Sequence, residues 1–435
     1  MTRPNVVVIY ADDLGYGDVG CFGSDDIRTP HLDALAARGI RLTDWYSNSP
    51  VCSPSRASLL TGRHPARAGV QEILGGERGT PGLPAQPTLA TRLKDEGYAT
   101  GLFGKWHLGT SEGYRPRDRG FDHHFGFLAG CVDYYSHIFY WGHGVNPVHD
   151  LWDDEKEVWD NGRYLTEVIA DKAVDFIGEN ADNPFFCFVP FNAPHYPMHA
   201  PQEYVDRFPE LDDERRIMAA MVSAMDDGVG RIVQALEAHG VAENTLVFFS
   251  SDNGPSAESR NWLNGEEIDY QGGSTGGLRG HKGSLFDGGI RVPAIVSWPA
   301  GLPSDIDWTT PGMMMDLVPT ILDAIGVAAE GEIDGVSVLP HWRAQDEAEE
   351  RTLFWEYGPQ LAARRGPWKL VTSAREHLGG PFELGSVMLV NLDDDRAESR
   401  DVSAEHPEIT AALRAELMAW AETFAWDPAP WLASA

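Results

Sequence analysis

Cysteine is scarce in this chain: four residues in 435, at positions 21, 52, 131 and 187. They fall in no paired spacing, which argues against a disulfide framework and against a structural zinc site. Basic residues are also few. Lysine and arginine total 34 against 66 acidic residues, a formal charge of −32. A field of that sign repels nucleic acid and other polyanions, so small substrates are expected as partners. No apolar run approaches the roughly 20 residues of a membrane span. The start, Met1 to Pro4, leads at once into Asn5-Val6-Val7-Val8-Ile9-Tyr10, leaving no room for a signal peptide. Cytoplasmic placement is therefore expected, or periplasmic or secreted placement if a leader has been removed.

What is present is an alternation of apolar strands and amphipathic helices. Residues 5–10 form a continuous apolar run, the mark of a strand buried on both faces of a parallel sheet. Helix signals over 29–39, 87–96, 164–180, 213–240 and 315–325 alternate with strand-like runs at 99–104, 184–189, 245–250 and 292–298. This order predicts an α/β fold: a large, mostly parallel sheet flanked by helices on both faces. Beyond residue 345 the pattern changes to short antiparallel strands (352–357, 362–364, 368–371, 388–391) and a closing amphipathic helix, 407–424. The expected organisation is a catalytic α/β domain, 1–345, and a small C-terminal α+β subdomain, 346–435.

Several groups carry chemistry. Cys52-Ser53-Pro54-Ser55-Arg56 reads as a cysteine at a helix N-terminus with proline in the first turn, a place that favours an anion or oxyanion. Asp12-Asp13 follow the first strand and Asp252-Asn253 follow the strand ending at Ser251. Oxygen ligands at the C-terminal ends of parallel strands can converge on one hard cation, calcium or magnesium rather than zinc. Lys105 and His107, two apart at a strand end, are expected to point the same way, offering a fixed cation and a titratable base. His195 sits among prolines in a stiff loop, and Lys282 in a glycine-rich segment.

Taken together, these motifs resemble the formylglycine-dependent (type I) sulfatases of the alkaline-phosphatase superfamily, in the family's order from residue 4 to about 300. The segments are Asp12-Asp13, Cys52 to Arg56 with Thr61-Gly62-Arg63, Gly104 to Gly109, Ala193-Pro194-His195, Ser251 to Gly254 and Gly280 to Pro293. The resemblance implies hydrolysis of sulfate monoesters through a covalent sulfo-enzyme intermediate. Its nucleophile would be a hydrated 3-oxoalanine (formylglycine) made from Cys52 by a formylglycine-generating enzyme. It implies one calcium ion on Asp12, Asp13, Asp252, Asn253 and the modified Cys52. Arg56, Lys105 and His107 would hold and activate the formylglycine, and His195 and Lys282 would grip the sulfate and assist the leaving group. The loop 126–137 is similar to that of the N-acetylgalactosamine-4-sulfatase (arylsulfatase B) subgroup, which implies aryl sulfates in vitro and a sulfated sugar in vivo. On that likeness Asp133, Ser136 and His137 are candidate substrate contacts, and Trp141 and Trp262 candidate pocket walls. The rival readings are a formylglycine-dependent phosphonate monoester or phosphodiester hydrolase and, more remotely, a non-catalytic metal-binding relative whose cysteine stays unmodified.

Overall fold

The computed structural model describes residues 3–140, 147–257, 271–424 and 426–427. Trp141 and Trp262 lie outside these residues. The strand Asn5–Ala11 occupies the middle of a ten-stranded sheet. Its alternate side chains enter different cores: Val7, Ile9 and Ala11 one face, Val6, Val8 and Tyr10 the other. Both faces are covered, which is why the run has no polar alternation.

The central strands are parallel. Asn5–Ala11 pairs with Phe185–Pro190 on one side and Thr245–Ser251 on the other, and Ala99–Lys105 and His123–Phe127 extend the parallel set. The flanks are mixed. Ala294–Ser297, one of the expected strands, runs antiparallel to Thr245–Ser251, and Trp152–Asp153 runs antiparallel to His123–Phe127. Register decides what meets at the strand ends. Ala11 lies opposite Ser251 and Tyr10 opposite Pro190, so the loops beginning at Asp12, Asp252 and Phe191 emerge side by side.

Four antiparallel strands, Leu353–Tyr357, Gln360–Arg365, Trp368–Thr372 and Val387–Asn391, form a second sheet. The helix Pro407–Glu422 packs Leu413, Leu417 and Trp420 on one of its faces. The other face packs Trp355, Tyr357 and Val371 against Tyr46, Val51, Leu285 and Phe286. A buried file of charges crosses the same contact. Glu398 pairs with Lys369 (2.8 Å), Lys369 with Asp287 (2.6 Å), Asp287 with Arg291 (3.3 Å), Arg291 with Asp44 (3.2 Å) and Asp44 with Arg364 (2.6 Å). Among the described residues, no helix is long and apolar enough to cross a membrane.

Candidate active site

The helix Cys52–Thr61 is buried along its whole length and is closed by Gly62 at φ 71°. No side chain caps its start, so the positive end of its dipole faces the loops that leave the sheet. Cys52 Sγ lies 3.6 Å from Asp12 Oδ1 and 4.0 Å from Asp13 Oδ1. Burial pushes the thiol well above its ordinary pKa, so the side chain as it stands is a poor nucleophile.

Around this sulfur the charges are dense and buried. Lys105 Nζ donates to both oxygens of Asp12 (2.8 and 2.7 Å), and Lys282 Nζ to Asp13 Oδ2 (2.9 Å). Arg56 spends its donors on Asp252 Oδ2 (3.0 and 2.7 Å) and the Lys105 carbonyl (3.1 Å). With Asp12 Oδ1 also 3.5 Å from its Nη2, it ties three strand ends together rather than reaching outward. The two adjacent carboxyls are driven apart. Burial pushes Asp12 upward despite Lys105, whereas for Asp13 the burial penalty is overcome by Lys282 and His195, which hold it below the usual carboxylate range. Such divergence in neighbouring acids is common at functional sites.

His195 Nε2 stands 3.3 Å from Lys282 Nζ and 3.5 Å from Asp13 Oδ2, and its Nδ1 faces the Tyr196 carbonyl at 2.6 Å. Burial, helped by the lysines, lowers it to about 3, so the imidazole is neutral. His107 is buried too and held well below its ordinary range by burial and Lys105. Its Nε2 faces the Leu74 carbonyl (2.9 Å), while Nδ1 is buried with no hydrogen-bond partner among the described residues. The period-two argument for Lys105 and His107 does not describe how they meet. The strand ends at Lys105, and His107 adopts φ 55°, outside any strand. Asp13 is likewise left-handed at φ 63°. Conformations this rare for residues other than glycine tend to mark working sites. Gly130 makes room for the His107 ring, since a Cβ there would lie 2.6 Å from it.

The donor set fits a hard cation. Asp12, Asp13, Cys52 and His195 each offer a ligand atom within 4.8 Å of the others. Asp252 Oδ1 accepts the Asp13 N–H (3.1 Å). Asn253 gives its Nδ2 to Asp13 Oδ1 (2.7 Å) and leaves Oδ1 buried with no hydrogen-bond partner among the described residues. An orphaned amide oxygen on a side chain joined to Asp13 is a ligand that a calcium ion would use.

The substrate candidates are placed differently. Asp133 Oδ1 accepts the N–H groups of Tyr135 (3.0 Å) and Ser136 (2.7 Å), which makes it the turn former of its loop. His137 is fully buried, edge-on to His149. Tyr134, which sequence reasoning passed over, connects this loop to the site by donating to the carbonyls of Asn192 (2.8 Å) and His195 (2.6 Å). Ser53, inside the cysteine motif, accepts the Leu74 N–H (3.1 Å) and so fixes the loop that faces His107. A tyrosine in an aromatic-rich loop and a serine inside a motif give no local signal of these long-range contacts.

The large mixed sheet gathers acids, lysines and histidines at its strand ends around a helix-borne cysteine, and solved structures similar to it are sulfatases of the alkaline-phosphatase superfamily. A sulfatase family profile matches residues 4–327. The chain belongs to the sulfatase family and is a sulfuric ester hydrolase. It is 34% identical over 392 residues to N-acetylgalactosamine-6-sulfatase of Canis lupus familiaris, covering 83% of this chain and 70% of the relative. Arylsulfatase G of Rattus norvegicus is 32% identical, covering 94% and 85%. Among solved structures, Ps i-CgsB in complex with k-i-k-neocarrahexaose superposes with a TM-score of 0.86 at 31% identity, covering 98% of this chain and 94% of that one.

Proposed function

We propose that this sulfatase acts on a sulfated sugar with a formylglycine made from Cys52 and a calcium ion held by Asp12, Asp13, Asp252 and Asn253. One observation carries the reading. Two carboxylates converge on Cys52 Sγ at the start of a buried helix, and a separate lysine grips each of them. The formylglycine, once hydrated, supplies a hydroxyl nucleophile that can later release sulfate, which a serine could not. The calcium ion, when bound, supplies Lewis acidity to that hydroxyl and to a sulfate oxygen.

The rest is the work of the chain. Lys105 and Lys282, both buried, hold negative charge on the sulfuryl group, where fixed cations shielded from water act strongly. Lys282, whose ammonium stands 3.3 Å from His195 Nε2, supplies the proton that the departing sugar oxygen takes, directly or by way of that nitrogen. His107, kept neutral by burial and with Nδ1 unshared among the described residues, would accept a proton at that nitrogen from the group at position 52. The sugar rests on a relative solved with a carbohydrate and on relatives named for amino-sugar sulfates. Residues 1–345 are the catalytic unit in this reading, and 346–435 the subdomain docked on it.

The test is a mass spectrum of the peptide carrying Cys52, read beside turnover of 4-nitrocatechol sulfate. Conversion makes that peptide about 18 Da lighter, and Cys52→Ala is expected to cut turnover at least about 10⁴-fold while leaving the fold intact. Comparable turnover in Cys52→Ala would sink the reading. A converted peptide in a protein that leaves sulfate esters untouched would move it to phosphonate or phosphate diesters.

A further inference from the structure

The peptide that carries Lys282 is gripped from two directions. Its N–H groups turn towards the large domain: Lys282 N–H donates to the Pro255 carbonyl (2.9 Å) and Gly283 N–H to the Pro50 carbonyl (2.8 Å). Its carbonyls turn the other way, to donors in the C-terminal sheet region. Lys282 O accepts the Leu378 N–H (2.7 Å), and Gly283 O accepts both Gln360 Nε2 (2.9 Å) and Arg375 Nε (2.9 Å). Gln360 is fully buried, and its Oε1 in turn accepts the N–H groups of Leu285 (3.3 Å) and Arg375 (3.2 Å). A single amide thus joins three points of the loop and its cradle.

The fit allows little slack. Gly283 has φ 90°, and a Cβ there would come within 2.7 Å of the Leu378 backbone. Both ends of the segment are pinned by the same region: Arg279 by Glu376 (2.6 Å) and the Glu398 carbonyl (2.9 Å), Asp287 by Lys369 (2.6 Å). Lysine is a flexible side chain, so the place of its ammonium depends on where its backbone is held. Here Nζ is set 2.9 Å from Asp13 Oδ2 and 3.3 Å from His195 Nε2.

We infer that Gln360, on the C-terminal sheet, is a positioning residue that fixes Lys282 through the Gly283 carbonyl, so that this sheet completes the active site without contributing a group to it. The inference rests on the reading that Lys282 engages the sulfate.

A double-mutant cycle tests it on the full-length, converted enzyme, using Gln360→Met, Lys282→Ala and the pair, with kcat and KM for 4-nitrocatechol sulfate and a melting curve for each. A displacement of about 1 Å costs up to about 100-fold, so Gln360→Met is expected to lower kcat by about 10- to 100-fold, with KM changing less. In the Lys282→Ala background the same substitution is expected to change kcat by less than about 2-fold, because its target is gone. Should Gln360→Met fail to fold, Arg375→Lys, which removes the parallel donor to Gly283, replaces it in the cycle. A full, additive loss in the Lys282→Ala background, or no loss in the wild type, would overturn the positioning role while leaving Lys282's own role intact. An unimpaired Lys282→Ala enzyme would overturn the reading of Lys282 and this inference with it.

Discussion

Two buried clusters in this protein contain the same charges in different arrangements. The site has Asp12, Asp13 and Asp252 with Arg56, Lys105 and Lys282; the contact between the sheets has Asp44, Asp287 and Glu398 with Arg291, Arg364 and Lys369. In the second cluster the signs alternate along a file, and each carboxylate lies next to a cation from another segment. In the first, two carboxylates that are neighbours in sequence face one sulfur atom, and Asn253 Oδ1 and His107 Nδ1 lie buried with no hydrogen-bond partner among the described residues. Equal numbers of charges therefore make a fastening when the signs alternate and a binding site when like signs converge. Composition and burial do not separate the two; the order of neighbours does.

The comparison can be broken at its strongest point by removing Lys369. Asp287 loses its closest cation and Glu398 its ion-pair partner, keeping among the described residues only the Asp287 N–H, so Lys369→Met is expected to cost about 3–5 kcal/mol in denaturant unfolding. A loss under about 1 kcal/mol would mean that the file does not act as a fastening. Chelation probes the other cluster. Removing calcium is expected to abolish most turnover and to lower stability by about 3 kcal/mol for a site previously kept near 100-fold above its Kd. It should do so equally in wild type and Lys369→Met, since the clusters share no residue; a smaller effect in the variant would show them to be one network.

The smallest effect comes from an acid in neither cluster. Glu356 is buried in the strand Leu353–Tyr357, with Gln71 Nε2 donating to it at 3.4 Å. Burial, with Glu72 nearby, raises its carboxyl from an ordinary 4.5 to about 7. The folded protein therefore holds that proton more tightly than the unfolded chain. The stabilisation is full below the unfolded value and is lost as pH rises through about 7. Glu356→Gln should flatten the dependence, narrowing the stability difference between pH 5.5 and pH 8 by on the order of 1 kcal/mol, as read from melting curves at the two pH values.

Much of the site was legible because it lies where strands stop. An apolar run followed by paired acids, as at Asp12 and Asp252, announces both the strand and its C-terminal loop, and a parallel register then makes those loops neighbours. The long helices and the four C-terminal strands were legible for the same reason, from period and punctuation. Short strands such as Ile40–Leu42 and Trp152–Asp153 carry too few residues for a period to show. The antiparallel run of Ala294–Ser297 depends on its connection, not its composition. His107 was found, but by a geometric argument that its left-handed backbone sets aside. Gln360 was out of reach, since its partner Gly283 is 77 positions away and nothing in Tyr-Gly-Pro-Gln foretells it.

The helix Cys52–Thr61 has no exposed residue, and Cys52 is 1% accessible. Once the chain has closed around it, no second macromolecule can lay hold of that segment. Any conversion of Cys52 by another enzyme must therefore happen before the sheet and its loops come together. On the proposed reading, the fraction of converted molecules would then be fixed by a race during synthesis, and a folded protein that lost the race could not be rescued without unfolding it.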